Sequence, residues 1–336
     1  MQHEIKERHN LLNEFGLLIE AGYSKETMLR FNKENLKTKK YRLKTWDYFL
    51  IGNKDYAISL TLAHNGYMAV CGIQVFDFLK KEKYDYSKFI FKNKDRIKMP
   101  NKSFEGFVSY QDTELKLNFD YTNNQVDIKG SAKEFNALDD LKVDIKLESI
   151  NKDFMSIAIP FKKTKKCFYF NEKFNHLLAK GCFTRGEESF TLDNMYGVLD
   201  WGRGVWPYDN TWYWSSASGK TIDNILIGFN FGYGFGDTSK ASENIFYYDE
   251  KGYKFDDILF DIPKDFLSVW KIYNESKSIN LVFEPLFDNK TKINYIILGQ
   301  DAHQVFGIFK GSVLLEDKLV EVNDLFGFAE KVRNRW

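Results

Sequence analysis

Between Leu141 and Glu148 the chain alternates without a fault, Leu141, Val143, Ile145 and Leu147 against Lys142, Asp144, Lys146 and Glu148. A period of two puts each set on one face of a β-strand, apolar towards a core and charged towards water. The same grammar recurs along the sequence. In Asp55 to Ala63, Tyr56, Ile58, Leu60 and Leu62 alternate with Ala57, Ser59, Thr61 and Ala63. Asn65-Gly66 then reads as a tight turn and Tyr67 to Phe78 as the returning strand. Leu115, Leu117, Phe119 and Tyr121 form one strand face, Asn123-Asn124 turns the chain, and Val126 to Ala132 answers. A charged connector fills Phe78 to Asn101.

These strands make residues 44–163 one antiparallel unit, with the Lys162 to Lys166 run as a junction. Before it, residues 1–43 form a polar, lysine-rich lead-in with a short helix expected over His3 to Phe15. The basic run Lys33 to Lys44 reads as a solvated face. Residues 164–336 make a second unit. It opens on Phe168 to Phe170, with a single helical turn expected in Asn175 to Gly181. In Ile225 to Gly232 the bulky Ile225, Ile227, Phe229 and Phe231 oppose Leu226, Gly228, Asn230 and Gly232. A nearly bare strand face marks close backbone packing or room for a ligand. Glu243 to Tyr248 and Tyr253 to Phe260 flank a Lys251-Gly252 turn; Trp270 to Tyr273, Asn280 to Glu284, Ile293 to Leu298 and His303 to Val313 continue the rhythm before a short amphipathic tail, Leu325 to Trp336. The pattern predicts an all-β fold of two antiparallel units, and closing each sheet into a barrel removes its exposed edges.

Composition narrows the function classes. Aromatic residues make up 17% of 336, and such rings favour half-buried pleated surfaces. A net charge of +1 gives no general attraction to nucleic acid or to an anionic membrane. Cys71, Cys167 and Cys182 are too few and too scattered for a disulfide framework or a four-ligand zinc site. The five histidines never show metal-ligand spacing, so neither metal nor cofactor is expected. The first residues lack the apolar stretch of a secretory signal, and no run of 18 apolar residues occurs. A cytoplasmic protein without a transmembrane segment is expected, with peripheral membrane contact left open. Nucleotide-binding glycine loops and the GxSxG elbow are missing too.

The least ordinary chemistry lies in Gly197 to Gly219, GVLDWGRGVWPYDNTWYWSSASG, which holds four of the seven tryptophans: Trp201, Trp206, Trp212 and Trp214. As a strand, Trp212 to Ala217 would put Trp212 and Trp214 on one side and Tyr213 on the other. The block reads either as an aromatic wall beside a ligand or as a large core corner held by an Asp200–Arg203 ion pair. Asp200, Glu243 and His303 are the catalytic candidates, since a carboxylate enclosed by rings has its charged form disfavoured and can act as a general acid. Trp201, Arg203, Trp206, Tyr208, Trp212, Trp214, Asn230, Asn244 and Gln304 are the ligand-binding candidates.

The wording LDWGRGVWPY followed by WYW and SG resembles the signature of the family called domain of unknown function 2804. KTWDYFLIGNKDYAISLTLAHNGY, NFGYG, ENIFYYD, HQVFGIFKG and a terminal RW agree in order along the whole chain. That family is distantly similar to paired lipocalin-like barrels that include carotenoid hydratases, certain cyclases and lipid-binding proteins. The resemblance implies two consecutive lipocalin-like barrels packed together. It also implies a small hydrophobic or amphipathic ligand of the lipid or isoprenoid class, with cofactor-independent, acid-catalysed hydratase, cyclase or isomerase chemistry as its catalytic form. Two other readings remain: a carbohydrate-binding or carbohydrate-acting protein that uses the Trp platforms with Asp200 and Glu243, and a structural or interaction protein with no ligand.

Overall fold

Alternating sequence becomes two antiparallel sheets in a computed structural model that describes residues 2–162, 164–294 and 298–335. The first sheet runs in the order Ala69–Asp77, Tyr56–His64, Leu43–Gly52, Tyr196–Val205, Thr164–Arg185, Leu141–Ser149, Gln125–Ala132, Leu115–Thr122 and Gly106–Gln111, with shorter strands attached. The second runs Ile245–Tyr248, Leu226–Tyr233, Asp209–Lys220, Lys318–Arg335, Gly299–Leu315, Ile279–Asn294 and Trp270–Tyr273, again with short edge strands. Each curves as a half-barrel, so the expected all-β architecture of two packed antiparallel units is the one observed.

Alternation along each strand assigns its two faces to different cores. In Tyr196–Val205, Leu199, Trp201 and Val205 enter the interior of the first barrel with Phe49, Leu60 and Phe119, whereas Val198 faces the second sheet. The second barrel is filled by Phe229, Phe231, Trp270, Phe283 and Phe309. Leu50, Phe76, Phe78, Val198, Phe306 and Phe328 join the sheets face to face, with the Phe76 and Phe306 rings 4.6 Å apart. Both barrel interiors are therefore packed with side chains, and open volume is left at the seam.

Several local expectations are corrected. The His3 to Phe15 stretch is not helical, because its amides bond across to other segments: Ile5 to Tyr23 O, His9 to Met28 O and Leu11 to Arg30 O. Asn175 to Gly181 is no helical turn but part of the long strand Thr164–Arg185. The strand is interrupted by an irregularity after Phe174, where His176 takes a φ of 56°. The turn after Tyr248 uses Asp249 and Glu250, both at positive φ, and Lys251-Gly252 begins the next strand. The connector Phe78 to Asn101 carries two short strands, Glu82–Asp85 and Lys88–Ile90. Leu325 onwards is the second half of the strand Lys318–Arg335 rather than a separate tail. The expected strand Ile293 to Leu298 falls mostly on 295–297, which, like Lys163 and Trp336, lie outside the described residues.

The change of sheet falls between Val205 and Asp209, not at the lysine run near 163. Thr164–Arg185 pairs with Leu141–Ser149 on one side and Tyr196–Val205 on the other, so it belongs to the first sheet. Lysines suit a hairpin as well as a linker, and composition alone does not separate the two. The tryptophan-rich block thus straddles both sheets: Trp201 belongs to one and Trp212 and Trp214 to the other.

Candidate functional site

Two cross-strand rows face each other across the seam. In the first sheet Lys173 lies opposite Asp200, and Asp200 opposite Tyr48. In the second, Gln304 lies opposite Glu330, and Glu330 opposite Trp214. Between the rows is a cavity of about 340 Å³ that all six of these residues line. Pockets of roughly this size, mostly apolar with a few converging polar groups, are typical of small-molecule sites.

Indoles make most of the apolar wall. Trp46 meets Trp206 edge to face at 4.9 Å, and Phe235 meets Trp206, Trp212 and Tyr169 at 4.8, 5.3 and 4.9 Å. Trp212 and Trp214 do share a face, and Tyr213 on the opposite face stacks on Tyr233 at 4.5 Å. Phe235 reaches the wall because Gly234 and Gly236 on either side take φ of 89° and 81°, which bends the loop inward. Trp46 lies flat over Gly202, where a Cβ would stand 1.9 Å from its Cζ2. The glycine of the LDWGRG block is thus the floor on which a cavity-lining indole rests.

The polar end gathers three carboxylates around one lysine. Lys173 Nζ is 3.5 Å from Asp200 Oδ1, 3.3 Å from Glu243 Oε2 and 3.5 Å from the Trp214 ring centroid, with the side chain 3% exposed. Asp200 also accepts hydrogen bonds from Trp46 Nε1 at 2.9 Å and Asn171 Nδ2 at 2.5 Å. Glu330 accepts from Trp212 Nε1 at 2.8 Å, and Gln304 Nε2 donates to Tyr48 Oη at 3.1 Å. Burial pushes the Glu330 carboxyl up to about 7; the Trp212 hydrogen bond and Lys173 oppose the shift, while Asp200 and Glu243 add to it. Glu330 is the one of the three carboxylates without a direct lysine contact. Asn334, also in the wall, has an Oδ1 with no donor among the described residues.

Of the residues expected from sequence, Asp200, Glu243, Trp206, Trp212, Trp214 and Gln304 line the cavity. Asn230 stands behind the wall, accepting from Trp214 Nε1 at 2.6 Å and donating to Glu243 O at 2.8 Å. The bare strand face around it is close packing: Glu243 covers Gly232 and His176 covers Gly228. Asn244 is a strand tie, accepting from the Gly232 amide and donating to Asp256 O. Tyr208 is half exposed and lies outside the lining set.

Three expectations fail in an instructive way. Arg203 does not pair with Asp200, because residues three apart on a strand point to opposite faces. Arg203 sits inside the first barrel with Nη1 2.9 Å from Asp47 Oδ1, bonds to the carbonyls of Trp46, Gly202 and Pro100, and rests on the Trp201 ring at 3.9 Å. Trp201 is therefore barrel core. His303 has the opposite parity to Gln304 and turns away from the cavity, stacked on Phe266 at 3.8 Å with Nδ1 2.8 Å from Asp288 Oδ2.

Lys173, Glu330, Tyr48, Trp46, Tyr169 and Phe235 also line the cavity and are not among the candidates drawn from sequence. A signal existed for two of them. Lys173 shares strand parity with Tyr169, and Glu330 with Phe328 and Val332, so each is a charge placed where the alternation asks for an apolar residue. Trp46 and Tyr48 lie in the KTWDYFLIG stretch that the family resemblance already marks, register sets them beside Gly202 and Asp200, and Phe235 comes in on the loop bent at Gly234 and Gly236.

The model for domain of unknown function 2804 matches residues 2–336, and the chain belongs to that family. No curated protein matches the sequence. Among solved structures, an AttH-like protein from Nitrosomonas europaea is similar over 90% of this chain and 96% of its own, at 10% identity and a TM-score of 0.54. CghA, in a structure with Sch210972, is similar over 87% and 88% at 9% identity and a TM-score of 0.52. At such identity the likeness is one of fold.

Proposed function

We propose that the chain binds a small amphipathic molecule of the lipid or isoprenoid class at the seam, with its apolar body against Trp46, Trp206, Trp212 and Phe235 and its polar end at the Lys173 cluster. The observation that carries this reading is the cavity of about 340 Å³, which sets a nearly continuous aromatic wall against four ionisable side chains. Ring surface that faces open volume lacks partner atoms on that side, and a bound apolar body would restore the contacts that packing otherwise supplies. The unpartnered Asn334 Oδ1 supports a ligand that also carries a donor. A fold neighbour's structure with Sch210972 is consistent with this use of the architecture.

The catalytic form of this proposal is protonation without a cofactor. With its carboxyl held at about 7, Glu330 keeps a transferable proton near neutral pH. It would protonate an alkene carbon of the ligand, and the Trp212 face would stabilise the carbocation that forms. Capture of that cation by water, with the water's proton returned to the Glu330 carboxylate, completes a hydration. Capture by an internal double bond, followed by loss of a proton to the Glu330 carboxylate, completes a cyclisation. Asp200 and Glu243 meet on one lysine instead of facing each other across an open groove, which weighs against the carbohydrate reading.

Native mass spectrometry of the purified protein, followed by incubation with fatty acids and isoprenoid alcohols, tests the proposal. A retained or added amphipathic ligand at one per chain is expected. A bare chain that takes up none of the panel would refute it.

A further inference from the structure

The cavity opens beside a strip of surface with a chemistry of its own. The turn Asn65 to Met68, closed by the Asn65 amide on Met68 O, places Asn65 and Met68 in the cavity lining together with Val70. Phe89 pairs with Val70 across the edge of the sheet and also lines the cavity, yet it is 55% exposed. Phe91, two residues further on, is 63% exposed. On the other side of the turn Tyr41, 52% exposed, packs its backbone against Gly66, and Lys44 Nζ ties Tyr41 O to Asn65 O. The 94–96 turn is fastened to the same place by His64, whose Nε2 is 3.2 Å from Asp95 Oδ1. Two loops, 37–44 and 88–98, thus flank one entrance.

Their charge departs from that of the chain as a whole. Against a net charge of +1 over 336 residues, these two segments contain ten Lys and Arg and a single acid, Asp95; of the ten, Lys88 is paired to Asp112 and Glu114, and Lys44 is buried. Lys37, Lys39, Lys40, Lys92, Arg96 and Lys98 are exposed. Exposed aromatic rings on segments that also carry exposed cations suit an anionic bilayer surface: the rings enter the headgroup boundary and the cations meet the lipid phosphates. Neither feature alone would say so. A solvated basic segment does not need exposed phenylalanines, and a stray phenylalanine does not need a basic segment to carry it.

We propose that this aromatic and basic rim docks the entrance of the seam cavity onto an anionic membrane surface, so that an amphipathic molecule can pass between bilayer and cavity without crossing water. Docking itself does not depend on the cavity's occupant and goes beyond the ligand-binding reading. The passage of a ligand rests on that reading.

Sedimentation with vesicles tests it, comparing phosphatidylcholine alone with phosphatidylcholine containing phosphatidylglycerol at low and high salt. The full chain is expected to sediment with the anionic vesicles at low salt, and to be released by high salt because surface attraction is screened. The Lys39→Glu/Lys40→Glu/Lys92→Glu variant should fall to the background of the neutral vesicles, and Phe91→Ser should lose severalfold. A charge-matched control, Lys116→Glu/Lys129→Glu/Lys142→Glu on the outer face of the first sheet, should bind as the parent does. Ala63 lines the cavity, and Ala63→Phe, which fills it, should also keep vesicle binding, so failure of the ligand reading would not be mistaken for failure of docking. No sedimentation with anionic vesicles, equal loss in the control variant, or a preference for a single-stranded oligonucleotide over vesicles would each overturn the proposal.

Discussion

The carboxylate of Glu330 accepts the indole N–H of Trp212 at 2.8 Å, on the cavity side of the second sheet. That pairing places a proton-holding group against the aromatic wall, and it gives the first prediction. Burial holds the Glu330 carboxyl at about 7, above its ordinary value of 4.5. The folded state therefore binds this proton more tightly than the unfolded chain does. The stability it contributes is complete below about pH 4.5 and is lost as pH rises through about 7. A shift of this size corresponds to about 3 kcal/mol. Glu330→Gln, which stays neutral, should match the parent in thermal stability near pH 5 and exceed it increasingly towards pH 8. Parallel curves across that range would contradict the assignment.

Lys173 holds Asp200 and Glu243 together, and its loss should be felt more than that of any surface lysine. Lys173→Met keeps the volume but leaves buried carboxylates without a counter-charge, which costs about 3–5 kcal/mol. Adding Glu243→Gln should recover part of the loss. Denaturant unfolding of the single and double variants measures it, and simple additivity would show that the two side chains do not interact.

Gly202 should tolerate no side chain. An added methyl would stand 1.9 Å from Trp46 Cζ2, so Gly202→Ala must push the indole off its floor and away from Asp200. The expected cost is about 1–3 kcal/mol. Because Trp46 lines the cavity, ligand affinity should fall as well, read by titration of intrinsic tryptophan fluorescence.

Arg203 and His303 should behave differently from the cavity residues. Arg203→Met leaves Asp47 buried and unpaired inside the first barrel, so a loss of about 3–5 kcal/mol is expected with ligand affinity unchanged below the melting transition. His303→Ala should leave affinity unchanged too, since its ring lies on Phe266 outside the cavity. Loss of binding in either folded variant would place the site elsewhere.

The strands were legible because their alternation is a local property: Leu141 to Glu148 and Tyr56 to Leu62 declare their faces without help from distant residues. Which strands become neighbours is a matter of long-range pairing. Local alternation therefore gives no sign that Thr164–Arg185 pairs with strands on both sides of residue 163, and it offers Arg203, three residues away, as a partner for Asp200 where the register sets Lys173 opposite it. Half of the candidate site was visible in the density of tryptophans around 206–214. The other half consists of single residues on separate strands, Lys173, Glu330 and Tyr48, whose meeting depends on register. A charge at an apolar parity position was the one trace that such residues left in the sequence.

Under the proposed function, the space beside the indoles holds the ligand. Isothermal titration of the ligand found by mass spectrometry into the parent chain and into Ala63→Phe, whose added ring occupies that space, tests it most directly. The parent should bind one molecule per chain, and the filled variant, with its melting temperature within a few degrees of the parent, should bind none. Equal affinity in the two would contradict the claim.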